Sequence, residues 1–107
     1  MISKADRVTR RFRLTAHAKE DLYSIWLYSL QQWGEQKADA YIEALYQRFA
    51  LLAEQPQLGV MRDDVAPGYF GYTYASHIIF YLIAEAEIDI IGVPHQRLDV
   101  QTFFQPR

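Results

Sequence analysis

An α+β fold with the element order β-α-α-β-β-β follows from three observations on this 107-residue chain. Two segments with apolar residues at three- and four-residue steps meet at Gly34. Three short runs rich in β-branched and aromatic residues come after them, joined by links short enough for hairpins. One apolar–charged–apolar triplet, Phe12-Arg13-Leu14, precedes the helices and supplies a further strand. The arrangement expected is an antiparallel helical hairpin packed on one face of a small, mainly antiparallel sheet.

Taken in order, residues 1–11 carry Lys4, Arg7, Arg10 and Arg11 against Asp6 and show little apolar periodicity. They read as a flexible, solvated basic extension, or else as an arm for an acidic partner. Residues 12–107 read as a single domain. Thr15 has the side chain of an N-cap, and from Ala16 to Trp33 the residues Ala18, Leu22, Ile25, Trp26, Ser29 and Trp33 share one helical face. Gly34 suits the left-handed stop of that helix. Glu35 opens a second one near its positive end, with a stripe of Ala38, Tyr41, Ile42, Leu45, Phe49 and Leu52 that Pro56 ends. Tyr23, Leu27, Leu30, Tyr46 and Leu51 lie off these stripes. They are candidates for lining a binding groove, or alternatively widen the core-facing stripe.

Gln55–Gly68 reads as an irregular connection punctuated by Pro56, Gly59, Pro67 and Gly68. Arg62 beside Asp63 and Asp64 suggests a local salt bridge there. The strand runs are Tyr69–Ala75, His77–Ala84 and Glu87–Val93, expected as a meander with the middle run at its centre. That middle run is apolar on both faces, with His77, Ile79, Tyr81 and Ile83 on one and Ile78, Phe80, Leu82 and Ala84 on the other. Two helices cover only one face of such a sheet, so another chain or the chain ends are expected over part of the second.

Composition narrows the function. Half the residues are hydrophobic and 22% charged, as in a globular domain. With no cysteine there is no disulfide framework or thiol chemistry. No segment reaches the roughly 20 apolar residues of a membrane span, and the N-terminus lacks a signal-peptide core, so the chain is expected in the cytoplasm. The net charge of −2 hides an asymmetry: +3 over residues 1–38, −6 over 39–96 and +1 over the remainder. A phosphate-binding surface clusters Lys and Arg, which the strand region does not, so nucleic acid along the sheet is disfavoured.

The three histidines, His17, His77 and His95, have no metal-ligand spacing, and no metal or cofactor is expected. Phosphate-loop and nucleophile-elbow motifs are absent. One constellation has chemical content: Tyr72, Tyr74, His77, Tyr81, His95 and Arg97 approach one another if the strands pair as expected. A His, a Tyr and an Arg supply a proton acceptor, a proton donor and a cation, the minimum for metal-free RNA cleavage. The alternative is that these side chains ring the sheet with their polar tips satisfied and catalyse nothing. Sparse positive charge favours that alternative.

The order of motifs resembles the ParE toxins of the RelE/ParE superfamily, from bacterial type II toxin–antitoxin modules of the plasmid-stabilisation kind. The resemblance runs from about Phe12 to Asp99. It rests on Leu14-Thr15, Ala18, Asp21-Leu22, Ile25-Trp26 and Tyr28 in the first helix. It continues through Trp33-Gly34-Glu35 at the turn, then Ala38, Tyr41 and Leu45. The connecting loop contributes Pro56-Gln57-Leu58-Gly59, Arg62 and Pro67-Gly68. Ser76-His77, Phe80-Tyr81 and His95-Gln96-Arg97-Leu98-Asp99 complete the series.

What the resemblance implies is a toxin neutralised by a cognate antitoxin of ribbon-helix-helix type, whose C-terminal segment wraps it. It further implies DNA gyrase as the target, blocked replication, and no direct sequence-specific DNA binding by the toxin. On this basis Arg62, Tyr81, His95 and Arg97 are target-binding candidates, and Tyr23, Leu27, Leu30, Tyr46 and Leu51 are antitoxin-binding candidates. A RelE-like, ribosome-dependent mRNA endonuclease is the first alternative, with His77, Tyr81, His95 and Arg97 as its catalytic residues. The RelE branch uses several Lys and Arg and a C-terminal Tyr. Here Lys4, Lys19 and Lys37 all precede the sheet and the chain ends Phe103-Phe104-Gln105-Pro106-Arg107, so a non-enzymatic toxin is favoured. A non-toxic antitoxin-binding module is the second alternative.

Overall fold

A computed structural model describes residues 11–97. The N-terminal extension up to Arg10, and Leu98 and Asp99 of the C-terminal motif, lie outside these residues. Arg11, which the sequence leaves in the extension, is the first residue of a strand.

The elements are β1 (Arg11–Leu14), α1 (Ala16–Trp33), α2 (Glu35–Glu54), a 3-10 turn (Pro56–Leu58), β2 (Val60–Met61), β3 (Phe70–Tyr74), β4 (His77–Ile83) and β5 (Glu87–Gly92). The five strands form one mixed sheet in the order β1-β5-β4-β3-β2. β3, β4 and β5 make the antiparallel meander that alternation predicts. β1 joins it in parallel against β5, Phe12 opposite Ile88 and Leu14 opposite Ile90.

α1 begins where Thr15 turns the chain out of β1. The Thr15 Oγ1 accepts a bond from the Ala18 N–H at 3.1 Å and lies 3.1 and 3.0 Å from the Ile90 and Ile91 carbonyls. One hydroxyl therefore caps a helix and ties its start to β5. α1 ends at Gly34, whose φ of 90° and ψ of 171° suit a residue without a Cβ. Its backbone N–H donates to the Leu30 carbonyl at 3.0 Å. The two helices are also joined by the Trp26 Nε1–H, which donates to Asp39 at 2.8 Å.

The core lies between the helical hairpin and one face of the sheet. Leu22 and Ile25 of α1 and Leu45, Phe49 and Leu52 of α2 meet Ile79, Tyr81, Ile88 and Ile90. Burying each such side chain contributes about 1.5–3 kcal/mol. The two helical stripes are confirmed with one correction: Trp33, placed on the buried stripe, is 59% exposed. It has the right angular position but stands at the last turn of α1. The stretch 55–68 is also more ordered than expected, since it contains the 3-10 turn and the two-residue β2 paired with β3.

The second sheet face has an unexpected cover. Phe80 is fully buried there, and the Arg62 guanidinium lies 5.6 Å from its ring centroid. A Cβ on Gly71 would meet the Arg62 chain and Phe80 at 3.3 Å, and one on Gly68 would meet Leu82 at 3.7 Å. The loop from Arg62 to Gly68 thus folds back across this face. Among the described residues no helix is long and apolar enough to cross a membrane.

Candidate functional site

The Ala75-Ser76 turn between β3 and β4 and the segment after β5 come together at one end of the sheet. Ala75 has φ 51°, the left-handed region that lets two residues close the hairpin. Pro94 and Gln96 then bond to it: the Ile78 N–H donates to the Pro94 carbonyl at 2.9 Å and the Gln96 N–H to the Ser76 carbonyl at 2.8 Å. This pairing sets His77 opposite His95, with ring centroids 5.4 Å apart and edge to face.

His77 is half-buried and pinned. Tyr41 on α2 places its hydroxyl 2.7 Å from His77 Nδ1, a hydrogen bond that holds the ring in place. Which of the two groups donates depends on the ring tautomer, and in either case the His77 Nδ1 is taken up within the fold. Burial, reinforced by the neighbouring His95, lowers the His77 pKa from 6.5 to about 4. His77 is therefore uncharged at neutral pH. His95 is exposed, and its Nδ1 accepts from the Arg97 backbone N–H at 3.1 Å, which leaves the ring's proton on Nε2. Burial raises the Tyr41 pKa, which keeps its hydroxyl a donor.

These residues form one end of a groove of about 770 Å³. One wall is the flank of α1, from Asp21 past Ser24 and Tyr28 to Trp33, continued by Lys37 and Tyr41 of α2. At about 1.5 Å per helical residue that wall is roughly 18 Å long. Ile25, Ser29 and Val93 line the groove between this wall and Ser76, His77, Pro94 and His95. Tyr28 and Trp33 stand edge to face, 6.1 Å between centroids. The Asp21 carboxylate accepts the Val93 N–H at 2.9 Å and lies 3.6 Å from His17 Nε2. Its charge is thus engaged by the fold itself.

The constellation expected for RNA cleavage is only partly assembled. His77 and His95 are in contact, and Tyr74 is reached through Tyr41, 6.0 Å away. Tyr72 packs against the core. Tyr81 is remote from the groove: it is 0% exposed, and its hydroxyl donates to the Pro56 carbonyl at 2.6 Å and accepts from the Gly59 N–H at 2.9 Å. Burial raises its pKa, opposed by the Gly59 N–H. The geometry assigns Tyr81 to holding the loop and gives it no surface. Among the described residues, no group of three or more His, Cys, Asp or Glu is placed to hold a metal ion.

Arg62 behaves as its neighbours predict. Its guanidinium bonds both Asp64 oxygens at 3.0 Å while lying over Phe80, on the sheet face away from the helices. The bond to Asp64 holds the Arg62 pKa up and the Asp64 pKa down. Of the four target-binding candidates only His95 and Arg97 are neighbours. Tyr23 and Leu27 are exposed and Leu30 is half-buried. Tyr46 packs edge-on against Phe49 and beside Phe12, and Leu51 is half-buried. Sequence reasoning missed Ser24, Tyr28 and Lys37 as groove residues. The available signal was that Tyr28 and Ser24 fall on a flank of α1 between the core stripe and solvent.

Residues 12–100 match the family model of the ParE toxin of the type II toxin–antitoxin system parDE. Toxin ParE1 of Caulobacter vibrioides is 34% identical over 84% of this chain and 93% of its own length. Toxin ParE1 of Mycobacterium tuberculosis is 33% identical over 87% of this chain and 96% of its own. Among solved structures, a chain of the chromosomal ParDE toxin–antitoxin system from P. aeruginosa superposes with a TM-score of 0.72 at 19% identity, covering 83% of this chain and 98% of that one. A chain of the RelBE2 toxin–antitoxin complex from Mycobacterium tuberculosis gives 0.56 at 22% identity, covering 82% and 99%. These two likenesses show the shared fold.

Proposed function

The chain belongs to the ParE toxin family of type II toxin–antitoxin systems, and from that premise we propose that it arrests growth by binding DNA gyrase and is neutralised by a cognate antitoxin. The observation that carries this reading is the family match over residues 12–100 of the 107-residue chain. The incomplete ribonuclease constellation supports a toxin that works by binding: Tyr81 is buried, His77 is neutral and held by Tyr41, and Arg62 lies on the other sheet face.

In this reading the target surface includes His95 and Arg97, whose exposure at one end of the sheet supports the assignment. Arg62 and Tyr81 contribute by shaping the loop between them. Tyr23, Leu27, Leu30, Tyr46 and Leu51 are assigned to the antitoxin, which would be of the ribbon-helix-helix kind. Action is in the cytoplasm, where gyrase works.

Purified toxin added to gyrase tests the proposal directly. Supercoiling should stop, cleaved-DNA complexes should accumulate, and prior addition of antitoxin should restore activity. Unchanged supercoiling at high molar excess refutes it. Arrest of growth with transcript cleavage and intact supercoiling would transfer the assignment to the endonuclease.

A further inference from the structure

The groove beside α1 is unusually rich in hydrogen-bond donors for its charge. His77 and His95 each have Nδ1 committed within the fold, which leaves Nε2 of each ring to meet a ligand, and that of His95 carries the ring's proton. Ser24 and Ser76 add hydroxyls, and Lys37 adds an ammonium. Among the described residues Lys37 has no ion-pair partner. Among the described residues the one carboxylate of the lining, Asp21, already accepts the Val93 N–H. Around these donors stand flat apolar surfaces from Tyr28, Trp33, Ile25 and Pro94.

Such a lining is complementary to acceptors with an apolar anchor between them. A helix keeps its carbonyls for its own ladder, whereas an extended segment presents them. A wall roughly 18 Å long accommodates about five extended residues at about 3.3 Å each. The volume falls within the range of about 300–1,000 Å³ usual for pockets that bury a compact ligand.

We propose that the groove holds an extended segment of the antitoxin in which a carboxylate stands beside a bulky apolar side chain. The carboxylate pairs with Lys37, the apolar side chain lies against the Tyr28–Trp33 pair, and a backbone carbonyl accepts from the His95 Nε2–H, with His77 Nε2 as the polar contact beside it. This inference rests on the antitoxin reading above. It adds a second contact region to the Tyr23–Leu27–Leu30 flank, and it makes neutralisation dependent on charge.

Calorimetric titration of the full chain with its cognate antitoxin separates the two claims. If the unaltered protein does not bind the antitoxin, the reading beneath this proposal fails. If it binds, Lys37→Glu and Tyr28→Ala should each weaken affinity about tenfold, with Glu85→Ala, in the β4–β5 turn, as the unaffected control. Lys37 and Tyr28 are exposed, so both variants should keep the far-UV spectrum and melting temperature of the parent. Losses below threefold in both variants overturn the groove as the docking site. Exchange of one antitoxin carboxylate for lysine should recover the affinity lost in Lys37→Glu. A scan of all its carboxylates without recovery overturns the assigned charge pair.

Discussion

Replacing Tyr81 with phenylalanine removes one oxygen from the core and tests whether this residue is a scaffold or a contact. The hydroxyl bridges two points of the turn after α2, donating to the Pro56 carbonyl at 2.6 Å and accepting from the Gly59 N–H at 2.9 Å. Gly59 approaches so closely that a Cβ there would overlap the Tyr81 hydroxyl and come within 2.9 Å of the ring. Phenylalanine preserves the ring and its stacking on Phe70, 5.6 Å between centroids. It leaves one carbonyl and one N–H without their partner. A net hydrogen bond contributes about 1 kcal/mol, and a buried group left unpaired costs about 1–3 kcal/mol. The turn lies near solvent, so partial rehydration brings the total to about 2 kcal/mol. For a domain of this size that corresponds to a fall of roughly 8–16 °C in melting temperature. Urea denaturation gives the free energy, and hydrogen exchange at the Gly59 amide reports the loosened turn. Gyrase inhibition per folded molecule should not change. A stability loss under about 0.5 kcal/mol, or normal stability with inhibition abolished, would refute the scaffold role and return Tyr81 to the contact surface.

Three further outcomes follow from the same geometry. Because burial lowers the folded-state pKa of His77 from 6.5 to about 4, the unfolded chain takes up its proton first as the solution is acidified. The His77 contribution is therefore complete above pH 6.5, declines as pH falls toward about 4, and amounts to about 1–2 kcal/mol after solvent screening. His77→Gln should flatten the urea midpoint against pH across that interval; an unaltered slope would contradict the assignment. Thr15→Ala removes both the α1 cap and its tie to β5, and should cost about 1–2 kcal/mol in chemical denaturation. Gly34→Ala meets no atom within 4 Å, but it must adopt φ 90°. It should lower stability by about 1–3 kcal/mol from backbone strain alone, and Gly34→Asn by about as much, because ψ 171° lies outside the left-handed helical region that Asn tolerates.

Where sequence legibility stopped has a physical pattern. The helices could be read because each packs on one partner, so a single angular stripe records the whole environment from Ala38 to Leu52. The meander was legible because its hairpins leave few residues in which the chain could do anything else. Trp33 was misplaced because periodicity reports angle and not axial position: the stripe continues one turn beyond the sheet that would cover it. β2 left no trace, since two residues have no period. Tyr81, some twenty residues later, holds the turn that leads into β2, through a hydroxyl that its own strand does not need. The groove was illegible for the same reason on a larger scale. Asp21, Tyr28, Lys37, His77 and His95 carry no common spacing, and only the Ser76–Gln96 pairing sets the second histidine against the first. Yet that juxtaposition follows from register once β4 and β5 are paired. A sequence reading reaches His95 opposite His77 by crossing the register shift between Phe80 and Tyr81 and continuing the ladder three residues past Gly92. What it cannot reach is how the two rings are held, because His77 is bonded by Tyr41 from a helix and His95 by the Arg97 backbone. The orientation of these two rings is thus a property of the assembled fold, and the groove proposal predicts a partner surface chosen for polar contacts as much as for apolar area.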